Sequence, residues 1–161
     1  MSKLYVRVAE LRAATAGTTL VTVGLGSCVA IVLHDPAARV GGLAHVLLPS
    51  PALARSATHR PARVPQTAVP ALLTAMTELG ADRHRIEARL AGGASMFANL
   101  AAPGTIQMGE RNLVATRTVL LHHEIPVMGE AVGGDFGRTV TFTIADGSVV
   151  VSSVAHGSQQ L

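Results

Sequence analysis

TTLVTVGLGSCVAIVLHDPAARVGGLAHVLLP, residues 18–49, is the stretch on which the fold of this chain turns. Thr18 to Val23 is rich in β-branched residues and predicts a strand, which Gly24, Gly26 and Ser27 break with a tight turn. Cys28 to Leu33 is a continuous apolar run, as a strand buried on both faces requires. His34-Asp35-Pro36-Ala37-Ala38 then supplies a turn, with Asp and Pro in the order a type I turn favours. The chain returns through Val40 to Leu48 and stops at Pro49, closing a hairpin. A four-residue turn over Asp35 to Ala38 sets Cys28 directly opposite His45, on one face of the hairpin. A bulge at Gly41-Gly42 would change that count.

Working outward, Leu4 to Val8, Ile86 to Leu90, Pro126 to Val132, Thr139 to Ile144 and Val149 to Val154 also read as strands. The last two are joined by Asp146-Gly147. Thr67 to Leu79 has an apolar stripe at Val69, Leu72, Leu73, Met76 and Leu79, ended by Gly80, and predicts a helix with Pro70 in its first turn. Glu110 to His123 predicts a second, with Leu113, Val114, Leu120 and Leu121 inside. Between the hairpin and the first helix, Ser50 to Pro65 is a long loop rich in Pro and Arg. Few helices and many strands give a mixed α/β (α+β) layered sandwich. The length of 161 residues predicts a single domain spanning 1–161.

Hydrophobic residues make up 48% of the chain but aromatics only 2%, so the core is built from Val, Leu, Ile and Ala. The charged fraction of 14% is well below the roughly 25% of an average domain and favours apolar surface that meets partners. A net charge of +3, with Arg55, Arg60 and Arg63 in one stretch and Arg83, His84 and Arg85 in another, has no interleaved aromatics. That argues against nucleic-acid binding and for exposed loops. No apolar run reaches the length of a membrane span, and Met1-Ser2-Lys3 is not followed by the apolar core of a signal peptide. A cytoplasmic protein with a reduced thiol is expected.

Cys28 is the only cysteine, which removes intrachain disulfides and multi-thiolate zinc sites. A lone thiol is either core filler or a nucleophile. The second reading needs a base, and His45 is the nearest by hairpin geometry, with a pairing expected to lower the thiol pKa. Thr22 is the candidate orienter of its ring, and the Cys28 N–H with the Ser27 hydroxyl the candidate oxyanion donors. His34 reads as a turn residue, His59 as part of the proline-rich loop, His84 as part of a basic loop, His122 and His123 as a helix end and His156 as tail, none with paired metal-ligand spacing. A metal on Cys28 and His45 with His34 or His59 lacks the usual carboxylate or second thiolate. Gly24-Leu25-Gly26 fails the dinucleotide spacing and leads into a strand, so no nucleotide cofactor is expected.

Thr22 to Ala30, Gly41 to Pro49, Gly92-Gly93-Ala94-Ser95-Met96-Phe97, Gly109-Glu110-Arg111-Asn112 and Gly133-Gly134-Asp135-Phe136-Gly137-Arg138 together strongly resemble the CheD family of chemoreceptor glutamine deamidases. The resemblance runs through nearly the whole chain in order. It implies a Cys28, His45 and Thr22 triad on a layered fold like that of bacterial toxin deamidases. It also implies glutamine-to-glutamate hydrolysis on chemoreceptor cytoplasmic helices, with no cofactor and no metal. Some relatives also act as receptor methylesterases or bind the CheC phosphatase. The chain departs from the family at Val64-Pro65-Gln66, where relatives carry an aromatic residue.

Overall fold

The computed structural model describes residues 1–54 and 60–161. Arg55 and His59 of the long loop lie outside the described residues. Ten strands and two helices follow in the order β1 (Ser2–Tyr5), β2 (Leu11–Thr15), β3 (Thr18–Leu25), β4 (Val29–Asp35), β5 (Val40–Val46), α1 (Pro65–Glu78), β6 (Glu87–Gly92), α2 (Met108–His122), β7 (Val127–Val132), β8 (Arg138–Thr143), β9 (Ser148–Ser153) and β10 (Gly157–Gln160). They form two mixed five-stranded sheets, ordered β1-β3-β8-β9-β10 and β2-β5-β4-β6-β7. β1 runs parallel to β3 and β6 to β7, and the other pairs are antiparallel.

The α+β layered sandwich expected from the sequence is what forms. Helices cover one face of the second sheet, and the first sheet covers the other. Every residue of β4 and β5 is therefore buried, which explains their unbroken apolar runs. Val29, Ile31, Leu33, Ala44 and Val46 join α1 and α2 in one core. Cys28, Ala30, Val32 and Leu43 face Leu20, Val140 and Phe142 of the first sheet in the other. β8 and β9 alternate instead, because only one of their faces is covered.

The hairpin register differs from the expectation. Asp35 pairs with Val40, so the loop is Pro36 to Arg39, with Arg39 left-handed at φ 55°. Ala30 rather than Cys28 opposes His45. Cys28 itself precedes β4 and belongs to no ladder. The slip is two residues, so side-chain alternation is preserved and Cys28 stays on the sandwich side with His45. Gly41-Gly42 carries no bulge. A Cβ at Gly41 would lie 2.5 Å from Phe142, and one at Gly42 2.9 Å from Leu72, so the pair lets the other sheet and α1 approach closely.

Asp35 explains the turn. Its buried carboxylate accepts the N–H groups of Ala37 and Ala38, the N–H of Asp82 at 2.8 Å, and a two-pronged bond from Arg85 at 3.0 Å. Burial pushes its pKa up, but the bonds from Arg85 and the backbone prevail and hold it at about 2. Because the folded value lies below the unfolded one, this stability is full above pH 4 and fades as pH falls towards 2. Asp35→Asn is expected to lose about 2 kcal/mol at pH 7, a fall of roughly 4–8 °C in Tm. The gap from wild type should close on acidification to pH 2 in a calorimetric series.

The helices also depart in detail. α1 begins at Pro65, so Pro70 sits in its second turn and withholds the N–H that would reach the Gln66 carbonyl. In α2 the buried stripe is Gly109, Asn112, Leu113, Thr116, Val119 and Leu120. Val114 and Leu121, expected inside, are 56% and 78% exposed. They lie seven residues apart on the opposite face, and two polar residues occupy the stripe they were assigned to.

Candidate active site

β3 and β5 belong to different sheets, and their inward side chains meet at the end of the sandwich where β4 begins. Thr22 Oγ1 lies 2.7 Å from His45 Nδ1, and both residues are fully buried. The same hydroxyl donates to the Val6 carbonyl at 2.5 Å. A hydroxyl has one proton, so its oxygen must accept from Nδ1–H. The ring is thereby fixed with a bare lone pair on Nε2, which has no partner among the described residues. After Thr22 one extra residue bulges from β3 against β8, with Gly24 at φ 72°, and this turns Leu25 back into the core.

The segment carrying Cys28 is clamped on three sides. Ala94 N–H donates to the Gly26 carbonyl at 2.9 Å and Gly93 N–H to the Cys28 carbonyl at 2.8 Å. Asn112 Nδ2 donates to the Ser27 carbonyl at 2.9 Å and to the Leu47 carbonyl at 3.2 Å. Asn112 therefore ties the residue before Cys28 to the strand exit two residues after His45. In a trans peptide the N–H points away from its C=O, so holding the Ser27 carbonyl also aims the Cys28 N–H. That N–H has no backbone partner among the described residues. Gly92, at φ 103°, leaves room for this approach, since a Cβ there would stand 2.2 Å from the Cys28 carbonyl oxygen. The role of Asn112 escaped the residue-level reading, although a polar side chain on the buried stripe of α2 is a usable signal.

Burial raises the Cys28 thiol pKa above its ordinary value, against a smaller opposing effect of its own N–H. Burial also lowers His45 to about 4. The thiol and the imidazole are both neutral at rest, and no hydrogen bond joins them. This corrects the expectation that His45 lowers the thiol pKa. Alkylation of Cys28 near pH 7 should be slower than that of a model thiol, without thiolate absorbance, and His45→Ala should not slow it further. Rapid alkylation that collapses in His45→Ala would restore the ion-pair picture.

Cys28 is 8% exposed. The residue before it, Ser27, lines a cavity of about 160 Å³ with Ser95, Met96, Phe97, Gln107 and Met108. Of its lining, Met96 and Phe97 are exposed apolar side chains, and Leu100 and Ile106 further along the same segment are exposed too. His34 is not a turn residue. It is buried in β4, edge-on to Phe142 at 5.5 Å, at the far end of the strand from Cys28. Among the described residues no three His, Cys, Asp or Glu side chains gather to hold a metal ion. No helix among them is long and apolar enough to cross a membrane.

A unique thiol, an imidazole of fixed tautomer and a free backbone donor at one end of an α+β sandwich form a layout suited to nucleophilic acyl chemistry. The family model described as CheD chemotactic sensory transduction matches residues 47–153, starting two residues after His45. Full-length relatives cover the remainder. A protein of Archaeoglobus fulgidus named "Probable chemoreceptor glutamine deamidase CheD" is 44% identical over 150 residues, 93% of this chain and 92% of its own. One of the same name from Desulfitobacterium hafniense (strain DSM 10664 / DCB-2) is 38% identical over 97% of this chain and 96% of its own. "Probable chemoreceptor glutamine deamidase CheD 2" of Geobacter metallireducens is 40% identical over the full length of both. The chain belongs to the CheD family. Among solved structures, Neisseria meningitidis protein NMB0706 aligns at a TM-score of 0.48 and 11% identity, covering 84% of this chain and 63% of its own, too loosely to bear on function.

Proposed function

We propose that this protein is a cytoplasmic chemoreceptor glutamine deamidase, its whole length acting as one domain, with Cys28 as nucleophile, His45 as acid and base, and Thr22 as the group that orients the ring. The observation that carries the mechanism is the bare, buried Nε2 of His45, held in that state by the Thr22–Val6 bond. On substrate binding, Nε2 takes the thiol proton as sulfur attacks the glutamine carboxamide carbon. The oxyanion develops against the Cys28 N–H, with the Ser27 hydroxyl as a second donor. The imidazolium gives its proton to the departing ammonia, leaving a thioester. Nε2 then activates water, which cleaves the thioester to glutamate and restores the thiol. No cofactor or metal enters this cycle.

The protein substrate is a receptor cytoplasmic helix, and the exposed Met96 and Phe97 offer apolar surface for it beside Ser27. The CheC phosphatase is a candidate competitor for the same surface. Incubation with a receptor cytoplasmic fragment, read by peptide mass, tests the reading. A gain of one mass unit at specific glutamines supports it, and an unchanged fragment with folded protein defeats it.

A further inference from the structure

Arg138 is a buried cation without an anion. It opens β8 opposite Leu25 and is 8% exposed. Its Nη1 donates to the Gly133 carbonyl at 2.7 Å, and its guanidinium carbon lies 4.2 Å from the centre of the Phe136 ring, which meets the His156 ring at 4.1 Å with a 41° tilt. Among the described residues the ion pairs engage Arg85, Arg89 and Arg117, and none reaches Arg138. Burial alone shifts its guanidinium, downwards, with no carboxylate opposing it. A buried charge is normally paired. Arg138 lines a cavity of about 480 Å³ with Gly24, Phe136, Thr139, Ser152 and Ser153, and no acidic residue lines it.

This cavity is tied to the backbone of Cys28. Gly93 N–H holds the Cys28 carbonyl, Gly133 N–H holds the Gly92 carbonyl, and Arg138 holds the Gly133 carbonyl, so three links join Cys28 to the guanidinium. Gly24, on the cavity wall, is four residues before Cys28 and thus no more than about 14 Å away along the chain. Side chains one and two turns apart on a helix are roughly 5–11 Å apart.

We propose that Arg138, with the hydroxyl-bearing Thr139, Ser152 and Ser153, forms a carboxylate-binding subsite that grips an acidic side chain one or two helical turns from the target glutamine. This rests on the deamidase reading and adds to it a rule for choosing among glutamines. The planar guanidinium suits a two-pronged carboxylate bond, and the surrounding burial strengthens it.

The test crosses enzyme and substrate variants. Each Asp or Glu within two turns of a modified glutamine in the receptor fragment is changed to Ala, and kcat and KM are measured with wild type and Arg138→Met. One substitution should raise KM roughly 10-fold or more for wild type. Arg138→Met should show a similar rise on the unmodified fragment and no further rise on that substituted one. Equal losses on both fragments, or no acidic residue that matters, would mean Arg138 only braces the Gly133 turn. Arg138→Lys, which retains charge without the fork, should recover part of the KM if the subsite is real. Should wild type deamidate nothing, the deamidase reading fails, and glutarate titration watched at the Arg138 Nε–H NMR signal still decides the subsite. A saturable shift supports it, while no shift, or tighter binding of inorganic phosphate than of glutarate, overturns it.

Discussion

Cys28→Ala is expected to abolish glutamine conversion, by roughly 10⁴-fold or more, while the protein stays folded. The thiol is the only one in the chain, and its backbone is held by Gly93 and, through the Ser27 carbonyl, by Asn112. Its replacement removes one small buried atom beside Ala30 and Val32, so the change in Tm should be a few degrees at most. Activity retained by the folded variant would remove the covalent route altogether. Serine is the sharper substitute, since it keeps the shape yet gives up the better nucleophile.

His45→Ala should lower kcat roughly 10³-fold or more, and adding Cys28→Ala should cost little beyond the single changes, because the two groups act as one unit. The variant also changes acid sensitivity. In the folded protein burial holds His45 at about 4, whereas the unfolded chain protonates it near 6.5. A depressed histidine supports the fold above its unfolded value and withdraws that support as pH falls. About 3 kcal/mol of wild-type stability is accordingly lost between pH 6.5 and 4 through this residue. His45→Ala should flatten that slope, leaving contributions from His34 and His123, whose pKa values burial also lowers. An unchanged slope would mean that water reaches the ring in the folded state. Thr22→Val, which frees Nδ1 but keeps the shape, should cost only about 10–100-fold, as for groups that orient a metal-bound imidazole.

Much of the fold was legible because burial leaves a periodic trace. The continuous runs of β4 and β5 and the alternation of β8 and β9 reported which faces are covered. β2 and β10 left no such trace. Both are edge strands with little burial, and Gly157 to Gln160 is exposed throughout. The hairpin register failed because the loop runs one residue further, to a left-handed Arg39, while the Asp35 carboxylate that holds Ala37 and Ala38 is itself fixed by Asp82 and Arg85 far along the chain. The thiol and imidazole were marked by uniqueness and parity. Their protonation states were not, since desolvation depends on both sheets and the helices closing over them. Asn112 and Arg138 stood in motifs whose resemblance was visible, but the carbonyls that Asn112 holds and the burial of Arg138 exist only in the folded chain.

The bond from Thr22 to Val6 gives the amino-terminal segment a stake in proton handling. β1 lies parallel to β3, and the backbone just beyond it supplies the carbonyl that absorbs the Thr22 proton. If that segment peels away, the hydroxyl can turn round and donate to the ring instead, and Nε2 then carries the hydrogen it is meant to receive. On the proposed mechanism, a shortened amino terminus, or a bulky fusion there, should thus lower activity without touching the thiol or the imidazole.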